Sequence, residues 1–509
     1  MAEQRVGLCQ QTFVADDKFG DVIACLEARG WARVICGGDL AWRNLKQTDF
    51  ESADADRYVN HLRHAQRLSH KATLAAALAD ASAEFYPRCY DLRLPAHARR
   101  FLGDAARVAA AAALRAGGAG PGDAGLGRTL VDACAGRNFD EIAARLAAGD
   151  TAATLAARTG GGDAVAAAAA LRAFDARPQA AVVDGAAGVW VLKPAGGSCG
   201  EGVVCSTSVQ ELLAAAMARR WRVVVQKYIE RPLTPLARKF DVRQWVLLSA
   251  VRPKLVLWGF SEAYARFAQQ RFALSDASLR DKFAHLCNYS IQKDAPAADD
   301  AIAENMWSQA QLAAHIDRIY GAGSFEARVR AGIRAIAVAV AETAARLDVE
   351  KVGHGFEWLG LDIIVGEDLS CYLLEANVSP DVSHSTAVTA ALVPAATEDA
   401  LALLLDEGYA TMRDLLEVEE EEYPEIQDLL ARYETLSAAR ADLIKRQDSA
   451  ADEAALCRLR EHLDQEPPLE LGLYKPFIDP ALLPQTLGTN FDSSQILRLQ
   501  GDSKNGRKL

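Results

Sequence analysis

Apolar and polar positions follow three different rhythms along this chain. Up to about Leu94, short strand-like runs such as WARVICGG mix with helical ones, among them the alanine-rich segment after Ser69. From about Ala96 to Asp175 alanine and glycine dominate. Helical runs (RVAAAAALRA, EIAARLAAG) alternate there with GGAGPGDAGLG and RTGGGD, which read as flexible connections. From Ala181 the texture turns to β-branched and apolar strands separated by glycine turns. VWVLKP, RVVVQKYI, VRQWVLLSAV and KLVLWGF all fit the strand template. A helix is predicted around Gly332–Leu347, followed by two strands, GLDIIV and CYLLEANV. Helical patterns return at about Thr397–Leu416 and Ile426–Leu463, and a loop-like end closes on a basic tail, KNGRKL.

Strands alternating with helices, with further helices segregated to the ends, predict an α+β (α/β) fold. Four segments follow: an N-terminal α/β subdomain over 1–95, an Ala/Gly-rich helical and linker region over 96–180, a core over 181–410, and a helical extension with a tail over 411–509. A length of 509 residues agrees with roughly two to four domains or subdomains.

Composition narrows the function classes. Half the residues are apolar and 24% are charged, as in ordinary globular proteins. No uninterrupted apolar run approaches the roughly 20 residues of a membrane span, and the start lacks the pattern of a signal peptide, so no membrane partner is expected. Ten cysteines without a CxxC pair indicate neither a zinc site nor a disulfide framework, and a reducing cytosol is the expected compartment. The glycines Gly120, Gly122 and Gly125 spell GxGxxG, but no strand precedes them and a proline interrupts them, so they read as linker. A net charge of −12 argues against a general nucleic-acid binder. Yet Arg219–Lys293 holds fifteen Lys/Arg against five Asp/Glu, while EVEEEEYPE further on is acidic. A basic segment in an acidic chain suggests a locally held anionic ligand or partner.

The chemistry concentrates in GLDIIVGEDLSCYLLEANVSP. Two strands flank Gly366-Glu367-Asp368-Leu369, a plausible hairpin turn. With Glu367 and Asp368 at the tip, Asp362 faces Leu373, and Glu375 lies diagonally beside Asp362 on the same face. Asn377 shares that face, because strand side chains alternate. Carboxylates and an amide oxygen on an apolar sheet need a cation. Magnesium suits such all-oxygen ligands, and pairing with nearby Lys or Arg as a structural network is the alternative. Upstream, VWVLKPAGGSCGEGVV sets Lys193 at a strand end before Gly196, Gly197, Gly200 and Gly202, a pattern that lets backbone N–H groups approach phosphate; a tight turn with an exposed lysine is its rival. In VVVQKYIERPL the run Gln226, Lys227, Tyr228 and Ile229 could offer backbone polar groups to an adenine edge. Lys239, Asp241 and Arg243 alternate onto one strand face, either as a salt-bridge ladder or as cations for a transferring phosphoryl group. Arg266 and the polar run His285–Gln292 (HLCNYSIQ) add candidates, although His285 by itself reads as structural.

In this order the motifs resemble the tubulin-tyrosine-ligase-like family, over about Ala181–Leu404 and in six separate blocks. The resemblance implies an ATP-grasp-type catalytic core over 181–410, with ATP and Mg2+ as cofactors. It implies that Lys193 is a phosphate lysine, that Gln226, Lys227, Tyr228 and Ile229 form the adenine hinge, and that Lys239 and Asp241 contact the nucleotide. Asn288 resembles the asparagine of an HLTN-type block near the phosphates. Arg243 and Arg266 resemble arginines that serve the acyl phosphate and substrate carboxylates, and Asp362, Glu375 and Asn377 the magnesium set. FYPRCYDL, QKYIERPL, HLCNYSIQK and SHSTAVTAALV have the flavour of the glycylase branch. That branch implies transfer of free glycine to γ-carboxylates of glutamates in the acidic C-terminal tails of tubulin. It further implies a monomer acting in the cytoplasm on the microtubule cytoskeleton, in a cilium or flagellum axoneme. Glutamate as the donor, or a catalytically weak microtubule-binding relative, are the alternatives. One departure stands out: the family's glycine loop carries two arginines, as in SRGRG, whereas Ser198-Cys199-Gly200-Glu201-Gly202 has Cys and Glu. Glu201 beside phosphates would repel them unless it points outward or pairs with a cation.

Overall fold

The β-branched runs from Trp190 onward form two antiparallel sheets, whose strands alternate their side chains between two faces. The computed structural model describes residues 11–50, 57–81, 83–117, 175–177, 179, 182–185, 187–197, 200–252, 255–296, 305–405 and 415–417. The expected helix at Ile426–Leu463, the tail, the GxGxxG glycines, and Ser198 with Cys199 lie outside them. The observed mixture of helices and sheets is the α+β class expected from the pattern.

Near the start, β1 (Thr12–Ala15), β2 (Ala32–Arg33), β3 (Leu40–Trp42) and β4 (Tyr58–Val59) pair in parallel with the distant β13 (His354–Gly355), in the order β13-β4-β3-β1-β2. WARVICGG supplies only the two residues of β2 to this sheet, and Ile35 stands exposed. Helix α1 (Gly20–Ala28) packs on it through Val22 and Leu26. The alanine-rich segment after Ser69 becomes α2 (Lys71–Asp80), and α3 (Pro95–Gly117) covers the next sheet.

That second sheet joins β5 (Cys89–Asp91), β8 (Val223–Lys227), β6 (Trp190–Pro194) and β7 (Val204–Ser206) in the order β5-β8-β6-β7. Trp190, Leu192, Val223 and Val225 face α3 and α4 (Val209–Met217), and their alternates, Lys193 and Gln226 among them, face the other way. Burying a side chain of this size contributes about 1.5–3 kcal/mol, so this face fixes which residues remain for the opposite one. Arg88 bridges Asp104 (2.5 Å) and Asp184 (2.6 Å), which stand on either side, in sequence, of the alanine- and glycine-rich stretch.

The third sheet is centred on β9 (Phe240–Ala250). One edge of β9 meets β14 (Glu357–Val365), which pairs in turn with β15 (Cys371–Val378). The other edge meets β11 (Tyr264–Phe267) and then β10 (Val256–Gly259), with β12 (Met306–Ser308) and β16 (Leu415–Glu417) outermost. Val242, Val246 and Leu248 face a core that contains α6 (Ala331–Arg346), which follows α5 (Gln309–Tyr320) in the chain. On the opposite face Trp245 and Leu247 meet the N-terminal sheet and α7 (Ala387–Leu405), which leaves Asp241 and Arg243 beyond that apolar patch.

The helix expected over Thr397–Leu416 is corrected: α7 begins ten residues earlier, and Leu415–Glu417 is a strand paired with β10. Pro394 lies inside α7, and alanine and leucine carry helical propensity across both sides of it. By length and apolarity α7 could cross a membrane. Here it buries Val393, Ala396, Ala400 and Leu401 against the core, and Glu398 pairs with Arg29, which caps the end of α1, at 2.6 Å.

Candidate active site

Neighbouring strands bring charges that are distant in sequence into one row. Across β11, β9, β14 and β15 the opposed residues include Arg266 with Asp241, and Arg243 with Asp362 with Glu375. Arg266 donates from Nε to Asp241 (2.7 Å) and reaches Asp362 Oδ2 at 3.0 Å. Arg243 donates from Nε to Asp362 Oδ1 at 2.6 Å, and Lys71 of α2 closes the row at Glu375, 2.9 Å away. Lys239, Asp241 and Arg243 therefore do not form a ladder along one strand; their partners lie across strands and in loops.

The hairpin register differs from the expected one. Val365 pairs with Cys371 and Ile363 with Leu373, so three residues, not two, form the tip, and Leu369 takes the left-handed conformation (φ +64°). That slip alone would carry Glu375 to the face opposite Asp362. A bulge between Asp362 and Ile363 absorbs Leu374 and restores it, so Asp362 faces Glu375 directly rather than Leu373. Asn377, opposite Gly360, shares the face and donates its amide to Asp362 Oδ2 at 3.2 Å.

Between this row and the second sheet lies an open cleft. Lys193, at the end of β6, donates to Gln226 Oε1 (2.6 Å). Lys239 donates to the Tyr228 hydroxyl (2.9 Å) and to the His285 carbonyl (3.0 Å). Both ammonium groups thus face neutral acceptors. Burial, helped by Lys71, lowers Lys193 to about 8, and burial lowers Lys239 as well. Among the described residues neither cation has a carboxylate within ion-pair distance, and two such cations in a partly desolvated cleft can hold an anion. On the other side, burial alone would raise the Asp362 carboxyl, but Arg243 and Arg266 outweigh it and hold it well below the usual range. At Asp241 burial wins, and its carboxyl is pushed up.

The hinge run is partly used by the fold. The N–H of Lys227 donates to Arg88, and that of Tyr228 to Val189. The Lys227 side chain is sunk beneath the sheet on Glu230 at 2.6 Å, a structural ion pair. FYPRCYDL finds its place here: Cys89 pairs with Gln226, and the Pro87 carbonyl accepts from Gln226 Nε2 at 3.3 Å. His285 is structural, as its neighbourhood suggested. Its ring contacts the Tyr228 hydroxyl (2.7 Å), and burial, then Lys239, lowers it to about 3.

Gly200 and Gly202 both have φ +69°. A Cβ on Gly200 would come within 2.6 Å of Ile291, so HLCNYSIQ packs directly beneath the glycine loop. Asn288, in that segment, lines the cleft, and Glu201 stands exposed at its mouth. Arg219 holds the Gly202 carbonyl at 3.0 Å, and Lys71 Nζ holds that of Gly197 at 2.9 Å. Lys71 escaped the sequence reading because a lysine opening an alanine-rich helix carries no local signal. Its position arises from the fold, through its own N–H on the Ala195 carbonyl (2.8 Å).

The donors fit magnesium. Asp362, Glu375 and Asn377 offer only oxygen, and no cluster of three or more His, Cys, Asp or Glu forms a cage among the described residues. Magnesium uses few protein carboxylates and fills its shell with phosphate oxygens and water. Cationic side chains pair with these carboxylates, and the Asn377 amide, which donates to Asp362, would turn over to present its oxygen to a metal.

The same stretch of chain carries the likeness to known proteins. The model of the tubulin-tyrosine ligase family matches residues 156–411. "Tubulin monoglycylase TTLL3" of Danio rerio is 37% identical over 232 residues, covering 44% of this chain and 29% of that protein. "Protein monoglycylase TTLL8" of Homo sapiens is 36% identical over 235 residues, 44% of this chain and 27% of its own length. "Tubulin glycylase 3A" of Drosophila melanogaster is 33% identical over 230 residues, 44% and 23%. The chain thus matches less than a third of the length of these relatives. The family's match takes in the glycine loop, the bulged hairpin and the charged row apart from Lys71, and this chain belongs to the tubulin-tyrosine ligase family.

Proposed function

We propose that this chain is an ATP- and magnesium-dependent ligase of ATP-grasp type that joins glycine to γ-carboxylates of glutamates in tubulin C-terminal tails. The observation that carries the reading is the pair of lysines, Lys193 and Lys239, facing neutral acceptors across the cleft from Asp362 and Glu375. That arrangement offers a triphosphate two cations on one side and a metal two carboxylates on the other. The names of the relatives supply the amino acid and the acceptor, and they favour glycine over glutamate. A microtubule-associated site of action in the cytoplasm, in cilia or axonemes, belongs to the same reading.

In the reaction the acceptor carboxylate attacks the γ-phosphorus of ATP and releases ADP. The glycine amine then attacks the acyl carbon of the resulting acyl phosphate, expelling phosphate and giving up a proton. Lys193 and Lys239 offset charge on the phosphates, and the glycine loop turns its backbone toward them. Asp362, Glu375 and Asn377 would hold magnesium, which offsets charge on the transferring group. Ile229 is the hinge residue offered to the base, since the amides of Lys227 and Tyr228 are used by the sheets. Arg243 and Arg266, fixed by Asp362 and Asp241, orient the acceptor side. The mechanism requires no enzyme nucleophile.

Incubation with microtubules, ATP, magnesium and labelled glycine or glutamate, followed by mass spectrometry of the tails, tests the reading. Glycine on glutamate side chains is expected, and Glu375→Gln should nearly abolish it with the circular dichroism spectrum intact. Wild-type turnover in that variant refutes the metal assignment, and incorporation of glutamate alone refutes the donor.

A further inference from the structure

A basic surface lies beyond the Lys71 end of the cleft, and its residues are not among those that line the cleft. It is built by hydrogen bonds leading outward from Lys71. The Lys71 N–H donates to the Ala195 carbonyl, and the Ala195 N–H donates to that of Arg222, both at 2.8 Å. Arg222 Nε donates to Asp91 Oδ2 at 2.8 Å, and Asp91 in turn accepts from the Arg93 N–H at 3.1 Å. The Asp91 N–H meets His97 Nδ1 at 3.3 Å. Arg93, Arg100 and Arg220 are exposed around this network, and Trp221 is 55% exposed beside Arg220. Asp91, the acid at the centre, is buried and already paired with Arg222. Burial first, then Arg222, lowers His70; burial also lowers His97, with Arg100 and Arg222 acting against the opposing pull of Asp91.

We propose that the surface of Arg93, Arg100, Arg220 and Trp221 holds an acidic peptide, namely the chain flanking the acceptor glutamate. This rests on the ligase reading above. Hydrogen bonds tie the surface to Lys71, whose ammonium lies at Glu375, so a chain held on it lies close enough to lead a carboxylate to the cleft. Arginines match carboxylates in planar pairs, and an exposed indole adds apolar contact. A nucleic acid is disfavoured by the overall charge of −12.

The test needs no turnover. Binding of a fluorescein-labelled glutamate-rich peptide to the full chain is measured by anisotropy at low and moderate salt, without nucleotide. Wild-type protein should bind, and the triple variant Arg100→Glu/Arg220→Glu/Trp221→Ala should bind at least about tenfold more weakly, with a shallower salt dependence. ATP affinity and the melting temperature should be unchanged, and in the ligation assay KM for the peptide should rise while kcat holds. Equal binding by the variant, or no binding by wild type, overturns the surface. Tighter binding there of a single-stranded RNA of equal charge overturns the peptide. Variant-sensitive peptide binding without any glycine ligation overturns the ligase reading and leaves the surface standing.

Discussion

Lys193 should take up a proton when nucleotide binds. Its ammonium is lowered to about 8 because it is buried and stands near Lys71, and it donates to the neutral Gln226 carbonyl oxygen. A triphosphate beside it supplies the missing counter-charge and returns its pKa toward the ordinary lysine value. Uptake on ATP binding is then roughly 0.1 proton at pH 7, about 0.5 at pH 8 and about 0.9 at pH 9. Because only the ammonium form binds well, apparent affinity should fall about tenfold between pH 7 and pH 9. Isothermal titration in buffers of different ionisation enthalpy measures the proton count directly. Lys193→Arg, whose guanidinium does not titrate there, should remove this uptake and leave any contribution from Lys239. Buffer-independent heat at pH 8, or undiminished uptake in Lys193→Arg, refutes the reasoning. The same shift sets the sign of a stability effect. The folded state carries a penalty for the ammonium that is full below about pH 8 and fades as pH rises from there to 10.5.

Three further perturbations test the site's construction. Arg266→Met leaves Asp241 and Asp362 buried without their shared cation, and urea denaturation should show a loss of about 3–5 kcal/mol; a loss well under 1 kcal/mol contradicts the pairing. Gly200→Ala places a methyl group against Ile291 in a left-handed backbone, so urea denaturation should show a loss of about 1–3 kcal/mol and a fluorescent ATP analogue should bind more weakly. Deleting Leu374 removes the extra residue and leaves Glu375 opposite Asp362 in a regular register, so magnesium should still enhance binding of that analogue; loss of the enhancement contradicts the register. Leu374→Ala, which keeps the bulge, should retain the enhancement as well.

Local pattern made the strands and the core of the fold legible. Alternation in VRQWVLLSAV assigns Val246 and Leu248 to one face and Trp245 and Leu247 to the other, and the sheet follows that split. The end of α7 was misjudged because Leu415–Glu417 has the apolar character of either state, and only its pairing with β10 decides between them. The shared face of Asp362, Glu375 and Asn377 was legible, but the reason offered for it was not the operating one. Parity along a strand predicts that face only when the tip and bulge offsets are known together. Lys71 was invisible for a related reason: nothing local distinguishes it, and its two contacts join parts of the chain more than a hundred residues away.

The charges of the site form a balance that suits it to a nucleotide and a metal bound together. Arg266, Arg243 and Lys71 match Asp241, Asp362 and Glu375, three formal charges against three, so the row is neutral without a ligand. Lys193 and Lys239 lie outside that balance, each held by neutral oxygens. A triphosphate with one magnesium carries roughly two negative charges, which is what these two lysines lack. A metal that draws Glu375 away releases Lys71, which sits beside the Gly197 carbonyl of the glycine loop and so within the phosphate region. Arrival of metal and nucleotide together therefore leaves no buried charge unmatched, whereas either alone does. Cooperative binding of magnesium and ATP, weakened in Lys71→Met, is the consequence of that arithmetic.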